Sequence, residues 1–405
     1  MEIKGNIVVG QSGGPTSVIN QSLVGIVLEA RKHGSVGKVL GARHGIVGIM
    51  KEDFIDLSEQ SETTLEKVAL TPAAALGSCR HKPTKEDVEK VFEVFRKHNV
   101  HYFFYIGGND SAETADIINN LARERSYELR VFHVPKTIDN DLRVNDHTPG
   151  YGSAARYVAL CFAGNDLDNR ALPGVKIDIV MGRHAGWLTA ASVLAKIDEN
   201  SGPQLVYLPE KPTTLDKMAD DIAEVYGRMG RCLVAVSEGV CTPDGKLLIE
   251  SQITERDSHG NAQLSGSGAL GDYIAAHVKS KLSDKYPGIR IRTDTLGYAQ
   301  RSFAGCTSEV DSKEARDVGQ AAVKYAMKGD IDGSVVIHRL TDSDEYFSEP
   351  QLTKLSDVAK VTKDLPENFI NEAGNYVTQA YVDYAKPLIG KLPVLGVLED
   401  KIYKK

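Results

Sequence analysis

Short apolar runs closed by glycine or polar residues alternate along the chain with stretches whose apolar positions recur every three or four residues. The first pattern is that of a strand buried on both faces and the second that of an amphipathic helix. Their alternation predicts βα units around parallel sheets. Residues 6–10 form an apolar run; the stretch 17–33 then sets Val18, Ile19, Leu23, Ile26 and Val27 on one helical face and stops at Gly34. The same order returns in a helix over 85–98, with Val88, Val91, Phe92 and Phe95 inward, a strand over 101–106, a helix over 112–123 and a strand over 130–134. Further strands are predicted at 176–180, 204–208, 232–236, 289–292 and 334–338, with helices between them.

A chain of 405 residues is too long for one core, so two α/β domains with a cleft between them are expected. The turn-rich stretch 148–152 is the best boundary. Composition adds mainly exclusions. With 41% hydrophobic and 25% charged residues the chain is an ordinary globular protein. A net charge of −7, with no basic run interleaved with aromatics, argues against a nucleic-acid partner. No apolar stretch is long enough to span a bilayer and no signal pattern opens the chain, so no membrane partner and a cytoplasmic location are expected. The five cysteines are scattered and odd in number, which points to free thiols rather than zinc ligands.

Open parallel sheets bind ligands beyond the carboxyl ends of their strands, and five such segments carry unusual chemistry. Gly10–Thr16 is glycine-rich and opens a helix, so its backbone N–H groups can approach an anion, although a tight βα turn would want the same glycines. It is neither a Walker A loop nor a dinucleotide fingerprint. Ile106–Ser111 places Asn109 and Asp110 at a helix start, where an acidic group either caps the helix or restricts which anion fits. In Pro135–Asp141, Lys136, Thr137, Asp139 and Asp141 gather at one strand end, supplying the base and the cation that phosphoryl transfer needs. Met181, Gly182 and Arg183 follow a fourth strand and suit a sugar phosphate, with His184 and Trp187 read as packing residues. Tyr298 and Arg301, with Arg292 upstream, add further anion-binding groups.

In this order the five segments closely resemble the phosphofructokinase family over roughly residues 5–336. The resemblance implies two Rossmann-like domains with parallel sheets and the active site in the cleft, Mg2+ as cofactor, and a homodimer or homotetramer in which some arginines cross to a neighbouring subunit. It also implies a phosphoryl-donor domain of 1–150 plus about 300–345 and a sugar-phosphate domain of 151–299 plus about 346–405. Carried over residue by residue, Asp139 resembles the base that deprotonates the 1-hydroxyl of fructose 6-phosphate, with Thr137 and Asp141 beside it. Met181, Gly182, Arg183 and Glu238 resemble the sugar contacts, and Arg292, Tyr298 and Arg301 the 6-phosphate cluster. Gly13, Gly14 and Arg80 match the donor side, and Asn109 stands where an aspartate usually serves the metal.

Lys136 and Asp110 stand where ATP-using members commonly carry glycine, and a lysine and an aspartate mark the pyrophosphate-dependent branch. The physics agrees. A carboxylate in the place of a nucleotide's α-phosphate repels the longer donor, while Lys136 neutralises the transferring group. An ATP-dependent phosphofructokinase and a non-catalytic sugar-phosphate sensor are the alternatives; the sensor would be marked by loss of the base, and Asp139 is present. A dehydrogenase lacks its fingerprint. Arg170 is the one candidate for a further arginine across the subunit interface, and the chain beyond His338 has no assigned role.

Overall fold

A computed structural model describes residues 3–252, 267–340, 345–359 and 362–398. Eleven strands are formed among them: β1 (Gly5–Gln11), β2 (Val36–Ala42), β3 (Phe54–Asp56), β4 (Val100–Gly107), β5 (Arg130–Pro135), β6 (Val175–Val180), β7 (Leu205–Tyr207), β8 (Cys232–Ser237), β9 (Ile291–Thr295), β10 (Asp332–Leu340) and β11 (Phe347–Thr353). They build a seven-stranded sheet in the order β11-β10-β5-β4-β1-β2-β3 and a four-stranded sheet in the order β7-β8-β6-β9. The four-stranded sheet is parallel throughout, whereas the larger one carries antiparallel strands, β3 and β11, at its two edges.

The continuous apolar runs have a direct cause in the larger sheet. Ile7 and Val9 of β1, Tyr102, Phe104 and Ile106 of β4, and Phe132 and Val134 of β5 pack on one face, against the helices Ile19–Ala30 and Glu309–Lys328. Val8, Phe103, Tyr105 and Val131 pack on the other, against Val88, Val91, Phe92 and Phe95 of the helix Lys85–Lys97. Successive residues of a strand point to opposite faces, so two covered faces demand an unbroken apolar run. The helix Lys85–Lys97 starts where expected because Thr84 and Asp87 form a reciprocal capping box.

Three strands are absent from the sequence-based prediction: β2, β3 and β11. β11 is an edge strand with alternating exposure and a proline, and it pairs with β10 all along its length. It therefore belongs to the seven-stranded sheet, although the resemblance groups residues beyond about 346 with the sugar-phosphate domain. Later parts of the same stretch, Tyr381, Ala385, Leu388 and Ile389, pack instead with the helix Tyr151–Ala171 that covers the smaller sheet. The stretch 148–152 runs straight into that helix, whose N-terminus is tied down by Asp311: one carboxylate oxygen accepts from Gly150 N–H at 2.8 Å and the other from Ser153 N–H at 2.9 Å.

Candidate active site

A crevice opens in a parallel sheet where neighbouring strands send their connections to opposite sides. β1 lies between β4 and β2, and β6 lies between β8 and β9, so the crevices open beyond Gln11 and Val180. The two meet. A Cβ on Gly14 would come within 3.4 Å of the Arg301 guanidinium carbon, and Asp139, beyond β5, feels the charges of Arg301, Lys136 and of His184 beyond β6.

Lys136 is buried at the floor of this cleft, and its Nζ donates to the Gly14 carbonyl at 2.7 Å. Gly13 adopts φ of +78°, and a Cβ there would stand 3.1 Å from the same Nζ, so the close approach of loop and amine requires glycine. Burial is the main cause that pulls the ammonium down to about 7; Arg301 and Arg80 push the same way, while Asp139 and Asp141 oppose them. Asp139 N–H donates to the Thr137 hydroxyl at 3.1 Å, which turns the loop sharply. Burial raises the Asp139 carboxyl above its usual range against the pull of Arg301 and Lys136, and burial together with Asp139 raises Asp141 to about 7. Two half-buried carboxyls so close share protons as a pair rather than titrating singly.

The loop is braced from outside. Asn140 adopts φ of +55°; its amide donates to the Tyr384 hydroxyl at 2.9 Å and its carbonyl oxygen accepts from Thr148 N–H at 3.1 Å. On the facing side Met181 N–H donates to the Gln300 side chain at 3.3 Å, and the Ser237 hydroxyl donates to the Gly182 carbonyl at 2.6 Å. Glu238 is buried and acts electrostatically on Arg301, whose guanidinium stands 4.8 Å from the Tyr298 ring centre. Arg183 acts on His184 beside it, and Arg80 acts on both Lys136 and Arg301.

The fold leaves some predicted residues outside this cluster. Arg292 lies early in β9 and binds Asp168 at 2.9 Å and the Leu172 carbonyl at 2.9 Å. Arg170 is held by Asp166 and Asp198 at 2.8 Å each. Asn109 and Asp110 open the helix Asn109–Glu124, with Asp110 exposed in its first turn. Asn109 Oδ1 is buried without a hydrogen-bond partner, an acceptor that suits a cation. Among the described residues no group of three or more His, Cys, Asp or Glu side chains could hold a metal. The residues therefore fit Mg2+ only as an ion held largely by substrate oxygens, its usual habit. His184, read from sequence as packing, is exposed, and its charge acts on Asp139. Lys363 and Tyr384, which touch the loop of Asp139 and Asp141, carry no local sequence signal.

Residues 6–326 match the family model described as phosphofructokinase. The chain belongs to the phosphofructokinase family. It is 53% identical over 390 residues to the pyrophosphate–fructose 6-phosphate 1-phosphotransferase of Rhodospirillum rubrum, covering 96% of this chain and 95% of that protein. The protein of the same name from Xanthomonas campestris is 38% identical, over 96% of this chain and 93% of its own length. Among solved structures, the pyrophosphate-dependent phosphofructokinase of Marinobacter aquaeolei superposes with a TM-score of 0.83 at 34% identity, covering 99% of this chain and 95% of that one. Among the described residues no helix is long and apolar enough to cross a membrane.

Proposed function

We propose that the chain transfers a phosphoryl group from pyrophosphate to the 1-hydroxyl of fructose 6-phosphate, giving fructose 1,6-bisphosphate and phosphate, reversibly. The observation that carries this reading is the Lys136 amine, buried on the Gly14 carbonyl between the glycine loop and Asp139. A cation there meets the transferring group directly and leaves no need for a nucleotide to position it. The names of the relatives at 53% and 38% identity support the same donor.

In this reading Asp139 accepts the proton of the 1-hydroxyl, with Thr137 holding its backbone and Asp141 sharing its proton equilibrium. A carboxyl raised above its ordinary range is a stronger base than an ordinary one. Lys136 and Arg301 balance the negative charge of the transferring group. Gly13, Gly14 and Arg80 take the donor; Met181, Gly182, Arg183 and Glu238 take the sugar; Tyr298 and Arg301 take the 6-phosphate. Asp110 is exposed in the first turn of the helix that opens beyond β4; in this reading its carboxylate acts on an arriving polyanion and disfavours the longer one. Members of the family generally use Mg2+, which would sit on donor oxygens beside Asn109 Oδ1 and shield their charge.

The seven-stranded unit then serves the donor and the four-stranded unit the sugar phosphate. The place of Arg292, on an edge strand outside its own cleft, supports a homodimer or homotetramer in which it serves a neighbouring site. A coupled assay with Mg2+ tests the whole reading: bisphosphate formed from pyrophosphate is expected, and robust activity with ATP alone would overturn the donor.

A further inference from the structure

Nothing in the chemistry above uses the chain beyond His338, yet the segment 362–365 lies against the catalytic loop. Thr362 bridges to Leu142, and Lys363 N–H donates to the Asp141 carbonyl at 2.7 Å. The Lys363 ammonium donates to the carbonyls of Asn145 and Asp146 at 3.0 and 2.8 Å, which fixes the return arm of the loop. It also stands 4.7 Å from the centre of the Trp187 ring, whose Nε1 donates back to the Lys363 carbonyl at 3.2 Å. Two residues on, Leu365 N–H shares one Glu210 carboxylate oxygen with Gly186 N–H, at 3.0 and 2.8 Å. This short strap thus joins the loop of Asp139 and Asp141, beyond one sheet, to the loop of Met181, Gly182 and Arg183, beyond the other.

We propose that Lys363 is a positioning residue for the transfer: it locks the return arm of the catalytic loop and supplies fixed positive charge behind the Asp139–Asp141 pair. The proposal rests on the reading of Asp139 as the base. The charged groups that face the pair are Lys136 from its own loop, Arg301 from the helix Ala299–Ser302, His184 from the loop after β6, and Lys363 from the strap. Those that face Lys363 are Asp141, Asp146 and, from β10, Arg339. Burial brings the Lys363 ammonium down to about 8, so it is charged at neutral pH and acts against the burial and mutual repulsion that raise Asp141. Without that charge the pair holds its proton to higher pH, and less of the base is ionised at pH 7. A hydrogen-bonding role alone would not move that equilibrium.

The test is the pH profile of kcat/KM for the full-length enzyme and for Lys363→Gln, Lys363→Met and Lys363→Arg. Glutamine keeps donors for the two carbonyls without the charge, and arginine keeps the charge. Lys363→Gln and Lys363→Met should lower kcat/KM at pH 7 about tenfold and move the acidic limb up by about one pH unit. Lys363→Arg should keep the limb of the unaltered enzyme. A limb that stays in place in Lys363→Gln, whatever the loss in rate or melting temperature, overturns the proposal, and this variant decides if the methionine form does not fold. Each profile is run with pyrophosphate and with ATP. A wrong donor shows as unaltered enzyme active with ATP alone, while the effect of Lys363 is read as variant against unaltered enzyme within whichever donor works.

Discussion

The loop after β5 and the helix start after β4 leave adjacent strands of one sheet, yet they are built in opposite ways. In the first, Lys136 is buried, Asn140 is held in a left-handed conformation by ties to Thr148 and Tyr384, and Asp139 is shaped by the Thr137 hydroxyl. In the second, Asp110 is open to solvent and Asn109 Oδ1 has no hydrogen-bond partner. Under the proposed function, groups that must match a transition state are fixed before substrate arrives, whereas groups that choose the donor wait for it. The contrast is between preorganised chemistry and unsatisfied selectivity.

The sharpest break of that contrast is Asp139→Asn, which keeps the shape of the loop and removes the base. Turnover should fall by about 10²–10⁴-fold with either donor, as measured in the coupled assay; a variant within a few fold of the unaltered enzyme would remove Asp139 from the chemistry. Lys136→Met comes next, with an expected loss of about 10²–10³-fold in kcat, the size seen when one donor to a developing charge is removed.

The acidity of the same residues gives a pH signature. Asp141 is raised to about 7; if it acts with Asp139 as the proposed base, activity is lost as pH falls through that value. Lys136 is lowered to about 7; if it serves as the proposed cation, activity is lost as pH rises through that value. The kcat/KM profile should therefore be a narrow bell near neutrality, and Lys136→Arg should flatten its basic side, because a guanidinium stays charged. A basic limb unchanged by the arginine would assign that limb to another group.

Tyr384→Phe tests the bracing by removing the acceptor of Asn140 and the donor to the Asp146 carbonyl, which lies 2.7 Å away. A loss of about 1–3 kcal/mol is expected, to be divided by melting temperature and kcat between stability and turnover. The smallest effect on turnover belongs to Asp110→Gly at the open rim. Its kcat with pyrophosphate should change by less than about tenfold, while the ratio of kcat/KM for ATP over pyrophosphate rises by about tenfold or more. No change in that ratio would strip Asp110 of its role in selection.

The two loops of this contrast were legible in the chain, because they sit within a few residues of strands that announce themselves as apolar runs. Asp139 lies four residues beyond the end of β5 and Met181 directly after β6. The lost elements share a cause. β11 is half polar and paired only on one side, so it has no buried-strand pattern to detect. Tyr384 and Lys363 reach the catalytic loop across separations of 244 and more than 200 residues, which no local periodicity encodes. His184 follows an arginine at a strand end and looks like packing until the fold sets it against Asp139.

Trp187 is the only tryptophan of the chain. Its indole is pinned between the strap carbonyl and the Lys363 ammonium, one residue from the glycine that Glu210 ties to that strap. The enzyme thus carries a single tryptophan, selectively excitable at wavelengths beyond tyrosine absorption, between the loops beyond its two sheets. If the loop of Met181, Gly182 and Arg183 takes the sugar phosphate as proposed, the indole emission is expected to change with occupancy, a label-free titration that stopped flow can read before product forms.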